Sequence, residues 1–379
     1  MRAQKAVTLK DVAERAGVSQ SVVSTILNDR QNGIFVSEST RQNVLNAAAE
    51  MSYVGKHRQL PPVRRTTTAN RRGSSDMDGH LVGVLLGRRF GGSLFTDIFY
   101  GVNFGLTAAG CHPVVLDTYA DSYAKAADKE AQGLQYARDH KFAGVVLWHE
   151  GGNANVSLIR SLREEMPVVA IDRRVSGVEL DFAGTDNFAG GYQATQHLIQ
   201  QGHTRIAHLT RLETTDSAVE RLRGYQQALT DAGLEVNPRY ILLALESGRR
   251  LDSNLIRQVF TGPEVPTAIF LLADFWAPSM YNELRKIGLQ VPGDLAMVGF
   301  DDVVQPGLDN LGLTTMAQDF EGIGRSAAEL ILRRMNEPGA PIESRVYPAS
   351  LVVRASSLTP PVATDPVRSA DMSIAVSVA

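Results

Sequence analysis

The sequence predicts an α/β protein in which a small three-helix head precedes a bilobed body of two doubly wound parallel sheets. Residues 8–28 and 37–51 show helical apolar periodicity, and a glycine lies within the first of these stretches. From residue 81 onward, short runs of Val, Ile and Leu alternate with amphipathic segments, as in sheets covered on both faces. Residues 1–75 hold twelve Lys and Arg against five Asp and Glu, so a head of net charge +7 precedes a remainder of −10.

The first two helices are predicted within residues 8–28. Apolar residues recur at helical spacing from Leu9 to Ala16, and Gly17 can adopt the positive φ that often ends a helix. Ser19 is then placed to cap a second helix, whose apolar residues lie at 22, 23, 26 and 27. Ser37 is expected to cap a third helix that closes the small core. Any α-hairpin can show the two-helix pattern, but the basic charge of this segment favours a helix-turn-helix that binds phosphate.

Composition limits the alternatives. The single cysteine, Cys111, predicts a chain without internal disulfides and fits a reducing cytosol. No apolar run approaches the roughly 20 residues of a membrane span, and the amino terminus lacks the apolar core of a secretory signal. The eight histidines show no metal-ligand spacing, and GTDNFAGGYQ matches neither phosphate-binding glycine fingerprint. We therefore expect a cytoplasmic protein with no metal and no cofactor.

Eight apolar runs are expected to form the parallel strands. They occupy residues 81–86, 113–119, 142–148, 167–172, 205–210, 240–245, 267–273 and 295–300. Ligands of such folds bind beyond the carboxyl ends of strands, so the residues just after each run are the candidate binding residues.

The head resembles that of the LacI/GalR family of bacterial transcriptional regulators, through VTLKDVAERAGVSQSVVSTILN and VSESTRQNVLNAAAEMSYV. The resemblance continues through VVAIDRR, GTDNFAGGYQATQHLIQQGHTRIAHL, SAVERLRGYQQALTDAGL and GLQVPGDLAMVGFDD, and it extends to about residue 356. It implies an effector domain like a periplasmic sugar-binding protein. It also implies a homodimer that binds a pseudo-palindromic operator, acts by default as a repressor, and responds to a small molecule, most simply a sugar.

The resemblance also assigns residues to DNA. On the second helix, Gln20, Ser21 and Thr25 point away from the apolar face and carry groups that can meet base edges in a major groove. The remaining DNA-binding candidates, at the helix start or at backbone phosphates, are Thr8, Ser19, Ser24, Asn28 and Ser37.

In the body, the resemblance points to six effector-binding candidates. Arg221 matches a guanidinium that grips ligand acceptors, and Asp301, directly after LAMVGF, matches an acid that accepts ligand hydrogen bonds. Their alternatives are a solvated helix arginine and a turn cap. The other four each have a structural alternative, either core packing or, for the aspartate, a helix cap; they are Phe95, Trp148, Asp274 and Trp276. Ala273 stands where the family often has an asparagine.

The predicted domains are a head at 1–57, a basic linker at 58–79, an effector and dimerisation domain at 80–356, and a disordered tail at 357–379. The linker departs from the short hinge helix of the family, because Pro61 and Pro62 remove amide donors. Leu60 is an alternative minor-groove wedge. Family topology places about 80–184 and 313–339 in the first lobe, with 185–312 and 340–356 in the second.

The main rival hypothesis is an α/β enzyme, such as a sugar-modifying one, that carries a vestigial head. It requires a nucleophile–base pair or a cofactor fingerprint, and the sequence shows neither. A solute-binding protein would require an export signal.

Overall fold

The chain forms two compact units, Met1–Gly73 and Ser74–Ala379. The computed structural model describes residues 9–20, 22–23, 40, 43–44, 47, 79–87, 93–118, 120, 123–150, 152–211, 215–244, 251–262, 264–303 and 311–358. The predicted linker up to residue 78 and the tail from residue 359 lie outside these ranges.

In the first unit, helix α1 (Leu9–Ala16) ends where the sequence predicts. Gly17 has φ 68°, and the amide of Val18 donates to the carbonyl of Ala13 at 3.1 Å, which closes the last turn. Ser19 caps the next helix, because its Oγ accepts from the amide of Val22 at 3.4 Å and the helix begins at residue 20. A small buried cluster unites the helices; it comprises Val12, Ala13, Val23, Val44 and Ala47. The helix-turn-helix prediction is thus confirmed.

The second unit alternates strands and helices. Its strands are β1 (Leu81–Leu86), β2 (His112–Asp117), β3 (Gly144–Leu147), β4 (Val168–Ile171), β5 (Asp181–Thr185), β6 (Ile206–Arg211), β7 (Ile241–Ala244), β8 (Ala268–Leu271), β9 (Ala296–Val298), β10 (Thr315–Ala317), β11 (Ser344–Tyr347) and β12 (Ser350–Val352). Its helices are α2 (Ser93–Ala108), α3 (Tyr123–Asp139), α4 (Val156–Glu165), α5 (Asn187–Gln200), α6 (Asp216–Asp231), α7 (Ser253–Phe260), α8 (Ala277–Lys286) and α9 (Phe320–Asn336). Within the described ranges, no helix is long and apolar enough to cross a membrane.

The first lobe contains a six-stranded parallel sheet in the order β11-β5-β4-β3-β1-β2. Because successive side chains of a strand point to opposite faces, Val84 packs toward α2 and α9 while Leu85 packs toward α3 and α4. Both faces are therefore buried, which is why these strands read as continuous apolar runs.

The second lobe contains a four-stranded parallel sheet in the order β7-β6-β8-β9. Helices α7 and α8 cover one face, and α5 and α6 cover the other. All eight predicted runs contain strands, and the predicted pair of doubly wound sheets is confirmed.

The carboxyl-terminal part of the chain differs from the expected lobe assignment. We expected 340–356 in the second lobe, but β11 pairs with β5 at the edge of the first sheet, with Ser344 opposite Phe182. The chain then returns to the second lobe, where β12 pairs antiparallel with β10. Strand β11 reads SRVY, which is polar and half-exposed because it is an edge strand, so it lacks the apolar run that marks a central strand.

Candidate ligand-binding cleft

Charged side chains from both lobes meet beyond the carboxyl ends of the two parallel sheets. The first lobe contributes the segments that follow β3 and β4, and the second contributes the first turns of α6 and the segment after β9. The two sides touch directly, since the amide of Arg174 donates to Oδ2 of Asp216 at 3.1 Å. This is the position at which open α/β sheets bind ligands.

Arg221 is the central cation of the second-lobe side. Its Nε donates to Oδ1 of Asn187 at 2.8 Å, and its Nη1 donates to the carbonyl of Leu272 at 2.5 Å. Nη1 also lies 3.5 Å from Oδ1 of Asp301, and the guanidinium stacks 3.6 Å over the ring of Phe300. Burial lowers the pKa of Arg221, which is 5% exposed, while the nearby carboxylates oppose that shift. The guanidinium is thereby fixed in one orientation.

Two glycines place Arg221 at this depth. Helices α5 and α6 cross so closely that a Cβ on Gly191 would lie 2.4 Å from the carbonyl oxygen of Arg221. A Cβ on Gly224 would lie 2.2 Å from the carbonyl oxygen of Phe188. Only glycine allows the two backbones to approach in this way, so the helix contact sets where the arginine side chain begins.

Asp301 and Asp274 have different environments. Asp301 has φ 114°, and its Oδ1 accepts from Nε2 of Gln318 at 2.7 Å; burial raises its pKa to about 7. Asp274 accepts at Oδ1 from the Thr315 hydroxyl at 2.8 Å and at Oδ2 from the Val303 amide at 3.0 Å. Burial raises its pKa well above the ordinary value. Asp274 therefore holds together the segments that follow β8 and β9, while Asp301 lies beside Arg221.

The first-lobe side is a buried ion cluster that the sequence analysis did not identify. Nη1 of Arg173 lies 3.1 Å from Oε1 of Glu150, and its Nε lies 3.7 Å from Oδ2 of Asp172. The guanidinium also lies 5.3 Å from the ring centroid of Trp148. All four side chains are buried. In the sequence, Glu150, Asp172 and Arg173 closely follow apolar runs that predict buried strands. Because a buried charge requires a paired partner, this pattern is the signal that could have identified the cluster.

His149 is engaged within the first lobe. Its Nδ1 lies 3.0 Å from Oε1 of Glu130 on α3, and its Nε2 lies 2.8 Å from the carbonyl of Gly152. Both neighbours are acceptors, so both ring nitrogens donate and the imidazole is charged. Burial opposes the charge, but the hydrogen bond and charge of Glu130, together with the carbonyl, outweigh it and raise the pKa of His149. The Glu130–His149 pair therefore stabilises the loop that carries Glu150.

The three aromatic candidates are mostly core residues. Phe95 packs against the first-lobe core and stacks on Phe99 with ring centroids 6.2 Å apart. Trp148 is 2% exposed, and Trp276 is buried in the second-lobe core. The Nε1 of Trp276 has no hydrogen-bond partner within the described residues. The structure thus brings Arg221, Asp301 and Asp274 together and leaves Phe95 and Trp276 in core clusters.

The raised pKa values predict that the protein loses stability as pH rises from about 6.5 to 8. Burial raises the pKa of Asp301 from 3.8 to about 7, so the folded protein keeps a proton that the unfolded chain releases. The free energy of unfolding therefore falls across this interval, by at most about 1.4 kcal/mol per pH unit for each such group. The raised pKa of His149 has the same sign, because its favourable charge is lost on deprotonation. Burial lowers the pKa of His208 to about 3, which has the opposite sign, but that contribution is complete once the unfolded chain has lost its proton near pH 6.5.

Thermal unfolding followed between pH 6.5 and 8 measures this dependence. The variant Asp301→Asn should show a shallower decline, whereas Glu220→Gln, at a partly exposed position that pairs with Arg223, should keep the full decline. A melting temperature that rises with pH contradicts the prediction.

Of the eight DNA-binding candidates, the described residues include Ser19 and Gln20, and both are exposed. Gln20 lies in the first turn of the second helix, on the solvent side of the helix-turn-helix. The other six lie outside the described residues; they are Thr8, Ser21, Ser24, Thr25, Asn28 and Ser37.

No group of three or more His, Cys, Asp and Glu side chains in the described part of the chain is arranged to hold a metal ion. The cleft instead combines guanidinium donors with carboxylate and amide acceptors drawn from two lobes. Such a set suits hydrogen bonding to a polar organic molecule.

Comparison with known proteins identifies the family. Residues 8–55 match the family described as bacterial regulatory proteins of the lacI family, and residues 195–357 match the periplasmic binding protein-like domain. The chain belongs to the LacI/GalR family of transcriptional regulators.

Similar proteins within the LacI/GalR family cover almost the whole chain. The HTH-type transcriptional repressor PurR of Aliivibrio fischeri (strain ATCC 700601 / ES114) is 27% identical over 334 residues, which is 87% of this chain and 92% of that protein. A complex of the transcriptional regulator CelR with cellobiose is 25% identical with a TM-score of 0.63, over 92% and 99% of the two chains. The lac repressor dimer bound to operator and the anti-inducer ONPF has the same fold, with 23% identity and a TM-score of 0.62 over 94% and 100%.

This LacI/GalR family member is a DNA-binding transcriptional regulator of repressor type. Its relatives are regulators and not enzymes, so the rival enzyme hypothesis is set aside.

Proposed function

We propose that the protein is a cytoplasmic repressor that binds a pseudo-palindromic operator as a homodimer and is controlled by a small carbohydrate bound in the cleft. One observation supports this proposal most directly. Arg221 and Asp301 of the second lobe face Asp172 and Arg173 of the first. Guanidinium and carboxylate groups hydrogen-bond sugar hydroxyls well, and here they come from two lobes.

A ligand held by both lobes favours one relative orientation of those lobes. It changes operator affinity only if it binds the DNA-competent and DNA-incompetent states with different affinities. The complex of the similar regulator CelR with cellobiose supports a ligand that is a carbohydrate. We propose further that residues 58–79 act as a basic linker that adds phosphate attraction, and that a tail outside the effector domain follows residue 358. The tail was predicted to begin at residue 357, but Ser357 is buried and its Oγ lies 2.8 Å from Nε2 of His197.

A mobility-shift experiment tests the proposal. The protein should retard DNA from upstream of its own gene, with an affinity that falls steeply as salt rises because phosphate contacts release counterions. Neutral sugars and amino sugars are then added singly, and release of the operator by one of them is the expected result. Binding that does not distinguish this DNA from random competitor would overturn the assignment.

Replacement of Gln20 should relax sequence specificity. If Gln20 contacts a base edge, Gln20→Ala should cost about 1–3 kcal/mol of specific binding and leave binding to random DNA almost unchanged. Titration of both DNAs at one salt concentration measures the ratio. Gln227→Ala, at an exposed glutamine of α6, is the matched control and should leave the ratio unchanged. Equal ratios for both variants would remove Gln20 from the interface.

A further inference from the structure

The cleft holds more carboxyl groups than guanidinium groups. Eight of its side chains influence one another electrostatically, and we call them the cleft cluster: Glu150, Asp172, Arg173, Arg174, Asp216, Arg221, Asp274 and Asp301. Five are carboxyl groups and three are guanidinium groups. Arg173 lies 3.1 Å from Glu150 and 3.7 Å from Asp172, and Arg221 lies 3.5 Å from Asp301. Asp216 and Asp274 form no such ion pair within the cluster.

The excess of carboxyl groups is clearest at Asp172 and Asp216. Asp172 follows β4, and Asp216 is the first residue of α6, so the two approach from opposite lobes. Burial raises the pKa of Asp172, and the charges of Asp216 and Glu150 add to the effect. Burial also raises the pKa of Asp216. Carboxylates held together at low dielectric repel each other unless a cation or a proton lies between them.

Unused acceptor atoms lie at the same edge of the first sheet. The Glu150 carboxylate and the Thr118 hydroxyl are buried, and Oε1 and Oγ1 respectively have no hydrogen-bond partner in the described part of the chain. Oε1 of Glu150 already forms an ion pair with Nη1 of Arg173 at 3.1 Å, so the Thr118 hydroxyl is the acceptor here that has no other partner among the described residues. A Cβ on Gly87 would lie 3.2 Å from Oε1 and 3.5 Å from Oγ1, so glycine leaves space beside both atoms. Asp216 Oδ1 is likewise without a partner.

We propose that the effector carries an ammonium group and is an amino sugar. The ammonium provides three donors and a positive charge for the carboxylates of the cleft cluster, and the sugar hydroxyls bond to the guanidinium groups and to Thr118. A neutral sugar can hydrogen-bond the free oxygens but brings no positive charge, so the carboxyl groups must stay protonated or repel one another. This inference rests on the proposed binding of a carbohydrate in the cleft.

Matched sugars test the charge directly. The 2-amino-2-deoxy forms of glucose, galactose and mannose are each compared with the N-acetylated form and with the parent hexose, at pH 6.5, where the amines are charged. Thermal shift and calorimetric titration of the full-length protein measure binding. At least one amine should bind about tenfold or more tightly than both neutral partners, as expected for a charged hydrogen bond.

Each other outcome overturns the inference. A neutral sugar that binds as well as its amine removes the ammonium requirement but leaves the proposed carbohydrate response standing. If no amine raises the melting temperature, the amino sugar assignment is wrong, and operator release by other compounds then tests the proposed function separately.

A pair of variants on α6 locates the ammonium. Asp216→Asn should reduce the preference for the amine over its N-acetylated form about tenfold, while Glu220→Gln on the same helix should keep it. The ligand-free melting temperature of each variant shows whether it is folded. If Asp216→Asn is folded and keeps the full preference for the amine, the ammonium group does not bind at Asp216.

Discussion

Arg221→Ala is expected to abolish the effector response and to leave operator binding intact. The substitution removes a buried guanidinium that bonds to Asn187 and Leu272 and faces Asp301. Without it, Gln318 is the remaining side-chain hydrogen-bond partner of Asp301 among the described residues. Breaking a buried ion pair by removing one partner costs about 3–5 kcal/mol, so the variant should also be less stable.

The measurement is operator release by a sugar that releases the wild-type protein, read by mobility shift. Arg223→Ala is the matched control, because Arg223 lies on the same helix, is exposed, and pairs with Glu220 at 2.7 Å. An exposed pair of this kind contributes at most about 0.5 kcal/mol, so Arg223→Ala should respond normally. If Arg221→Ala remains folded, binds the operator and is released at wild-type sugar concentrations, Arg221 does not bind the effector.

Gly224→Ala is expected to destabilise the second lobe strongly. Its Cβ would lie 2.2 Å from the carbonyl oxygen of Phe188 and 2.6 Å from the amide nitrogen of Tyr192. Both atoms are backbone atoms of α5, so relief requires the two helices to separate. Such overpacking costs about 3 kcal/mol, which lowers the melting temperature by roughly 5–10 °C.

The same displacement should weaken the effector response, since α6 carries Arg221. Gln227→Ala tests a neighbouring exposed position of α6 and should change stability by no more than about 0.5 kcal/mol. Thermal unfolding compares the two variants. A Gly224→Ala protein as stable as the wild type would mean that α5 and α6 are not in close contact.

The charges of the cleft predict whether the ligand is charged or neutral, and family membership does not. Among the similar proteins, CelR is complexed with cellobiose while the name of the repressor PurR states no ligand, so resemblance alone leaves the effector open. Five carboxyl groups against three guanidinium groups, combined with acceptors at Thr118 and Asp216 that have no partner among the described residues, favour a positively charged ligand over a neutral one.

The sequence by itself determined the head, the class of the body and its second-lobe ligand candidates. Helical spacing around Gly17 predicted the head, and eight apolar runs predicted the class of the body. Both patterns are visible in the sequence because the hydrophobic period and the burial of a segment depend on local residue order. Residue matching named Arg221 and Asp301 separately, and the structure places them 3.5 Å apart. The edge strand β11 was not predicted from the sequence, because a half-exposed strand has few apolar residues to mark it.

Only the tertiary structure decided which charges meet. Glu130 and His149 are 19 residues apart, Arg173 and Glu150 lie after different strands, and Gln318 reaches Asp301 from the return crossing between lobes. It also showed that Trp148 and Trp276 are core residues. Spacing along the chain encodes the neighbours of a residue within one helix or strand. Contacts across a sheet edge or between lobes depend on how those elements pack, and no local pattern records that packing.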